Sequence, residues 1–170
     1  MNRDGAPDPF TVFGIEHRLD LDERALERRY LQLSRDCHPD RNRGGGAADC
    51  AAVLARAAEI NDSWRVLKDR WERARVLIEL RAPGVLDDQK QLDPEFLAGA
   101  LERAEMVANA ESAELPALRQ QLRADADAAW HGVRDAATAG DFATAARRLH
   151  ESKYVRKAMA DLEARAEAIA

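Results

Sequence analysis

The side chains with the clearest chemical potential lie in the tripeptide His38-Pro39-Asp40. An imidazole and a carboxylate two positions apart could act as an acid–base pair or as metal ligands. The sequence has no Ser/His/Asp arrangement, phosphate-binding loop or cluster of metal ligands that would support such a role. Cys37 and Cys50 form no CxxC pair, so a structural zinc site is not expected. From residue types alone, a catalytic role of the tripeptide therefore has little support, and neither a metal nor a cofactor is expected.

A basic amphipathic helix is predicted directly before the tripeptide. Asp20 followed by Glu23 suggests a capping box, and no Gly or Pro interrupts the chain from Leu21 to Asp36. At about 100° per residue, one face is apolar; it contains Leu26, Tyr30, Leu33 and Cys37. The opposite face carries Arg24, Arg28 and Arg35. Such a face can be merely solvated, but its position before the tripeptide favours docking on an acidic partner.

A second helix is predicted to return antiparallel to the first. Pro39 disfavours the α region for His38, so the first helix must end near Cys37. A flexible basic connection, residues 41–46, follows the tripeptide. Apolar residues then recur at spacings of three and four; they are Cys50, Val53, Ala57, Ile60, Trp64 and Leu67. Two such helices are expected to bury their stripes against each other as a helical hairpin.

Residues from about Phe10 to Asp69, including the stretch Asn61-Asp62-Ser63-Trp64, resemble a J-domain. The resemblance implies a docking surface for a DnaK/HscA-type chaperone; its residues would be His38, Pro39, Asp40, Arg24, Arg28, Arg35 and Arg41. It also implies that ATP is hydrolysed on the partner, so that this chain is an activator and not an enzyme. Two positions depart from the family pattern, since Cys37 replaces a common aromatic residue and Arg41 a common lysine.

Composition indicates an all-α protein. Hydrophobic residues make up 46% of the 170 residues but aromatic ones only 5%, and no alternating run of strand length occurs. The net charge of −5 lies entirely in residues 82–170, because the preceding residues carry equal numbers of acidic and basic side chains. Nucleic acid is therefore not an expected partner.

The N-terminal residues 1–9 are expected to form a disordered tail, and they contain no apolar segment typical of a secretory signal. No apolar run approaches the length needed to span a membrane. Because both cysteines map to predicted core stripes, a reducing cytoplasmic compartment is the simplest expectation. No surplus coiled-coil seam calls for a dimer, so we expect a monomer.

The second half is predicted to form an antiparallel three-helix bundle. A helix over Arg70–Arg81 ends at Ala82-Pro83-Gly84, and a polar connection over 85–92 follows. The three bundle helices are expected over 94 to about 109, about 116 to 139, and 141 to the C-terminus. Their expected caps are Asp93, Gly140 and Asp141. The last helix carries an apolar seam from Val155 to Ile169.

The apolar surface of the first bundle helix extends further around the helix than packing in a bundle requires. Its predicted core face contains Phe96, Ala100, Ala104 and Val107. A second face grades from Leu97 and Leu101 towards acidic residues. Tyr154 lies about 100° from the apolar stripe of the last helix. From periodicity alone, a broad core helix with one half-exposed tyrosine explains these features equally well.

A J-domain followed by a three-helix bundle is similar to the HscB-type co-chaperones of iron–sulfur cluster assembly. The resemblance assigns residues 10–82 to the J-domain, which is a helical hairpin with a His-Pro-Asp loop and flanking helices. It assigns 83–93 to a linker and 94–170 to the bundle. It implies a patch that binds an IscU-type scaffold protein, formed by Leu97, Ala98, Leu101, Glu102, Glu105 and Tyr154. Ala98 is smaller than is usual in the family, and Asn109 replaces an acidic residue. The zinc-binding extension of eukaryotic relatives is absent from the sequence, which suggests a bacterial cytoplasmic protein.

Two alternatives remain open at this point. The chain could be a J-domain co-chaperone with a different client protein. It could also be a helical enzyme that uses His38, Asp40 and nearby arginines, although the sequence offers no further catalytic constellation.

Overall fold

The computed structural model describes residues 7–37 and 47–169, and every regular element in these ranges is a helix. The chain forms two compact units, one ending at Leu80 and the other beginning at Arg81. The first contains α1 (Pro9–Phe13), α2 (Glu23–Asp36), α3 (Ala47–Lys68) and nearly all of α4 (Arg70–Arg81). The second contains α5 (Val85–Asp88), α6 (Pro94–Asn109), α7 (Leu115–Thr138) and α8 (Phe142–Ala168). The all-α class is therefore confirmed.

The predicted hairpin of the first unit is formed by α2 and α3. The ring of Tyr30 stacks on that of Trp64 with their centroids 4.7 Å apart, and its hydroxyl donates to Asn61 Oδ1 at 3.0 Å. Leu26 of α2 and Ile60 of α3 are buried, as the two apolar stripes predict. The opposite face of α2 is consequently turned to solvent.

Two details of this hairpin differ from the sequence prediction. The N-cap of α2 is Asp22 and not Asp20, since the Asp22 carboxylate accepts from the backbone N–H groups of Arg24 and Ala25. Both aspartates suit a cap, and local sequence does not distinguish them. Cys50 is exposed, so its assignment to the core was wrong. It lies in the first turns of α3, before the packed part of the hairpin begins.

The first unit also contains α1, a five-residue flanking helix whose bounds the sequence did not predict. Asp8 is its N-cap, and Phe10 and Phe13 are completely buried. The predicted disordered tail was therefore too long, because residues 8 and 9 belong to this helix and its cap; residues 1–6 lie outside the described part. Helix α1 packs on α3, where Phe13 stacks against Trp64 at a centroid distance of 6.5 Å.

The Asp8 carboxylate is a buried hydrogen-bond centre. It accepts from the backbone N–H groups of Phe10 at 3.0 Å and Thr11 at 3.1 Å, and from the Thr11 hydroxyl at 2.8 Å. The Nε2 atom of His17 lies 3.0 Å from Oδ1. Burial alone would raise the pKa of Asp8, but the hydrogen bonds from Thr11 and the His17 imidazole outweigh it and lower the pKa below its usual 3.8.

We expect Asp8→Ala to destabilise the protein by about 1–2 kcal/mol at neutral pH, because α1 loses its cap and buried donors lose their acceptor. Since folding lowers this pKa, the stabilisation is complete at pH values above the unfolded pKa. It is lost as the pH falls through the lowered folded value. The difference between wild type and variant should therefore shrink below about pH 3.8. Thermal unfolding across this pH range measures it.

Asp22→Ala is the matched control, because Asp22 caps α2 through two similar hydrogen bonds but is exposed. Its cost should be smaller, at roughly 0.5–1 kcal/mol. Equal costs for the two variants would contradict the role given to the buried cluster around Asp8.

The second unit is built on the α7–α8 hairpin, with α6 packed on α8. One cluster of its core draws on all three helices; its buried members are Val107, Ala110, Leu115, Leu122, Ala126, Val155, Ala158 and Leu162. A two-pronged ion pair between Arg119 and Glu163, at 2.8 and 2.7 Å, joins α7 to α8 at the surface. The expected caps Asp93 and Asp141 and the left-handed Gly140, at φ 79°, are all observed.

Three expectations for the second unit were wrong. The stretch predicted as a polar connection contains α5, which packs on α8 and whose Leu86 carbonyl oxygen lies 2.7 Å from His150 Nε2. Ala104 is exposed, because α6 is covered mainly from the α8 side. Ile169, expected to continue the last seam, is 38% exposed just beyond the end of α8.

Candidate partner-binding surfaces

The solvent face of α2 carries three uncommitted guanidinium groups, on Arg24, Arg28 and Arg35. All three side chains are exposed, and none of them forms an ion pair with another residue of the described ranges. Arg29 differs, since its Nε donates to the Phe13 carbonyl at 2.9 Å and thereby ties α2 to α1. The α2 arginines therefore divide into a structural one and three that are free to meet a partner.

The helix leads towards the His-Pro-Asp tripeptide as expected. It ends at Asp36, and Cys37 is its C-cap, which agrees with the constraint that Pro39 imposes. His38, Pro39, Asp40 and Arg41 themselves lie outside the described residues. Their predicted role in chaperone binding thus stays a prediction.

A second candidate surface lies on α6. Leu97 and Leu101 are 38% and 62% exposed, although both are large aliphatic side chains. Ala98, Glu102 and Glu105 are exposed as well. The spacing of these five residues places them on one side of the helix, roughly opposite the buried Ala100 and Val107; we call this the α6 face, and it consists of Leu97, Ala98, Leu101, Glu102 and Glu105.

Tyr154 of α8 lies next to the N-terminal half of α6. Its ring meets that of Phe96 edge-on, with 5.6 Å between centroids, and the side chain is 40% exposed. Edge-to-face packing fixes the orientation of the tyrosine ring beside α6. The structure thus brings together an α8 residue and an α6 helix turn that are almost sixty positions apart in the sequence.

The acidic groups of the α6 face are uncommitted. Within residues 7–37 and 47–169, neither Glu102 nor Glu105 forms an ion pair. Arg103, which lies between them in sequence, points to the other side and reaches Asp125 of α7 at 3.7 Å. The two glutamates are therefore available to basic side chains of a partner.

Sequence reasoning missed part of the exposed apolar surface of α6. Ala104 is exposed together with Ala108, and the spacing of both from Leu97 and Leu101 continues one stripe along the helix. Met106 is 56% exposed, but it lies roughly 140° around the helix from Leu101. The seven-residue interval from Leu97 to Ala104 was the signal available in the sequence.

Metal sites and membrane-spanning helices find no support among the described residues. Among them, no group of three or more His, Cys, Asp or Glu side chains could hold a metal ion. None of the helices in the same ranges is long and apolar enough to cross a membrane. The two surfaces on α2 and α6 are hence the main candidates for function.

Comparison with known proteins decides the family. A family model described as the HSCB C-terminal oligomerisation domain matches residues 92–163. A co-chaperone protein HscB homologue of Aeromonas hydrophila is 32% identical over 160 residues, covering 91% of this chain and 93% of the homologue. The chain belongs to the HscB family of co-chaperones. A further HscB homologue, from Azoarcus sp., is 30% identical over 168 residues and covers 95% of each chain.

Solved HscB structures share the fold. Chaperone HscB from Vibrio cholerae matches with a TM-score of 0.83 and 23% identity, covering 96% of this chain and 100% of that one. Human co-chaperone HscB also matches with a TM-score of 0.83 and 23% identity, covering 95% of this chain and 83% of that one. These likenesses confirm the predicted architecture of an N-terminal J-domain followed by a C-terminal helical bundle.

The stability of α6 can be tested through its glycine. Gly99 is exposed in the helix interior, and a Cβ built there would meet no atom within 4 Å. Gly99→Ala is therefore expected to stabilise the protein by about 0.5–1 kcal/mol and to raise its thermal midpoint by a few degrees. Because Gly99 lies away from Leu97 and Leu101 on the helix, partner binding should not change.

Gly140→Ala is the control, because it is expected to change the stability in the opposite direction. A Cβ at Gly140 also has open space, but the residue has a φ of 79°, which L side chains rarely adopt. The same substitution should therefore destabilise the protein here. A lower midpoint for Gly99→Ala would show that α6 depends on its glycine.

Proposed function

We propose that this HscB-family co-chaperone delivers an IscU-type iron–sulfur scaffold protein to a DnaK/HscA-type chaperone and stimulates the ATPase of that chaperone. In this proposal, residues 10–82 act as the J-domain, 83–93 as the linker and 94–170 as the scaffold-binding bundle. The chain works as a cytoplasmic monomer and has no catalytic site of its own. Family membership and the two uncommitted surfaces support the proposal.

The observation that carries the proposal is the α6 face with its neighbour Tyr154. Two exposed leucines lie there beside two carboxylates that form no ion pair within residues 7–37 and 47–169, which is unusual on a helix whose partners within the bundle are already in place. Apolar side chains at the centre of an interface supply most of the affinity, and a charged rim supplies orientation. Leu97, Leu101 and Tyr154 would be the anchors, while Glu102 and Glu105 would meet basic side chains of the scaffold.

The chaperone side of the proposal rests on α2. Three exposed guanidinium groups favour encounter with an acidic surface and orient the helix on it. His38, Pro39 and Asp40 follow the C-cap of α2 in the sequence and would engage the same chaperone. The ATPase site would belong to the chaperone, whose hydrolysis this contact accelerates.

A single chain that binds both partners gains from tethering. Once the scaffold is held by the bundle and also bound by the chaperone as its substrate, the J-domain docks as an effectively intramolecular step. A weak J-domain contact then suffices for strong stimulation. The arrangement would favour stimulation when cargo is present.

Calorimetric titration with the IscU-type scaffold of the same organism tests the cargo assignment. We expect saturable binding with one scaffold per chain. Absence of binding by a folded chain would refute the iron–sulfur role and would leave a co-chaperone that serves another client.

A further inference from the structure

Leu31 lies beside the arginine face of α2. The side chain is 46% exposed, although it is a large aliphatic group. Arg24, Arg28 and Arg35 are seven and three positions before it and four after it, so at about 100° per residue they lie roughly 20° to 60° to one side of it. Glu27, one turn before Leu31, lies about 40° to the other side. Leu31 is thus an exposed apolar residue between three arginines and one glutamate.

A single exposed leucine is not informative alone, because folded proteins expose many. Two features distinguish Leu31. The guanidinium groups beside it form no ion pair with any residue in 7–37 and 47–169. Leu31 also lies about 100° and 140° around the helix from Tyr30 and Leu26, of which Tyr30 stacks on Trp64 of α3.

Charge alone is a poor source of affinity for such a face. Exposed ion pairs mainly raise the association rate and weaken in salt. Burial of an aliphatic side chain inside a polar rim that excludes water adds affinity that salt does not screen. The arrangement on α2 combines both elements within four helix turns.

We infer that Leu31 is an apolar anchor of the chaperone-docking face. It inserts into an apolar depression within the acidic surface of the ATPase chaperone, while the three arginines pair with the surrounding carboxylates. The inference rests on the proposed function and adds a specificity element to it. A chaperone with a uniformly acidic surface would bind this face less well than one with such a depression.

Leu31→Lys separates an apolar anchor from a purely electrostatic face. The variant adds a fourth cation at the same position. An anchor predicts that affinity for the DnaK-type chaperone falls by about tenfold or more despite the added charge. A purely electrostatic face predicts tighter binding with a steeper salt dependence. Surface-plasmon-resonance titrations of the ATP-bound chaperone with the full chain at several salt concentrations give both quantities.

Leu31→Ala completes the test. We expect about fivefold weaker binding and an unchanged salt dependence, since only apolar contact is removed. Arg28→Ala should instead flatten the salt dependence. Unchanged affinity for Leu31→Ala, or tighter binding for Leu31→Lys, would overturn the inference. Helical content measured by circular dichroism verifies that each variant is folded.

Met106→Ala is the matched control, because Met106 is an exposed apolar residue of the other unit. It should leave chaperone affinity unchanged, whereas Leu31→Ala should weaken it. If wild-type chain does not bind the chaperone, the proposed function itself fails. If the wild-type chain binds the chaperone and the Leu31 variants bind it with the same affinity, only the inference about Leu31 fails.

Discussion

Replacing His38 with Gln is expected to abolish stimulation of the chaperone's ATPase. His38 directly follows the C-cap of α2, whose arginine face would already be seated on the chaperone. Glutamine is close in size but lacks the imidazole ring that the J-domain resemblance places in the contact. Loss of a central contact typically costs 2 kcal/mol or more, so stimulation should fall by about thirtyfold or to the basal rate. Steady-state ATP hydrolysis with increasing amounts of the chain measures it.

The same variant should keep its fold and its scaffold affinity. The tripeptide belongs to the first unit, whereas the α6 face belongs to the second. Arg28→Ala provides a graded comparison, because loss of one of three rim charges should lower stimulation only severalfold. Normal stimulation by His38→Gln would remove the basis for the J-domain role.

The double substitution Leu97→Ala/Leu101→Ala should weaken scaffold binding by about a hundredfold. These leucines are 38% and 62% exposed, and a partner that covers them would bury most of the remaining surface. Truncation of both removes roughly 2–3 kcal/mol of apolar contact, which corresponds to about a hundredfold loss of affinity. Calorimetric titration of the scaffold gives the constant directly. Exposed positions cost little folding stability, so the thermal midpoint should change little.

Met106→Ala is the control for this pair. Met106 is 56% exposed on the same helix but faces another direction. It should leave scaffold affinity within about twofold of wild type. An equal loss from Met106→Ala, or full binding by the double variant, would place the scaffold elsewhere on the bundle.

Much of the second unit could be predicted because its signals are local. Asp93 followed by Pro94, and Gly140 followed by Asp141, mark helix ends through chemistry that acts within a few residues. Helix α6 begins at Pro94, as the first of these signals predicts, and its end at Asn109 was also predicted correctly. The exposure of Leu97, Leu101 and Tyr154 is also as the patch prediction requires, although binding itself is untested.

The errors have a common physical origin. Periodicity defines which residues share a face but not how much of the face a neighbour covers. Ala104 was expected in the core, yet α6 is packed chiefly against α8, and this part of the helix stays open. Cys50 was misplaced for the same reason, at an end of α3.

The positions of the short helices were not predicted for a different reason. Helices α1 and α5 have five and four residues, too few for a period to be visible. They are held by tertiary contacts, such as the burial of Phe10 and the contact between Leu86 and His150. The sequence pattern consequently does not predict that Asp8, whose carboxylate caps α1, is buried.

The coupling of the two surfaces is tested most directly by titrating chaperone ATPase stimulation with and without the scaffold. With the scaffold present, the concentration of this chain that gives half-maximal stimulation should fall by about tenfold or more, because the bundle tethers the J-domain to the scaffold–chaperone complex. The Leu97→Ala/Leu101→Ala variant should stimulate equally in both conditions. An identical scaffold-dependent shift in that variant, or no shift in the wild type, would contradict the adaptor role.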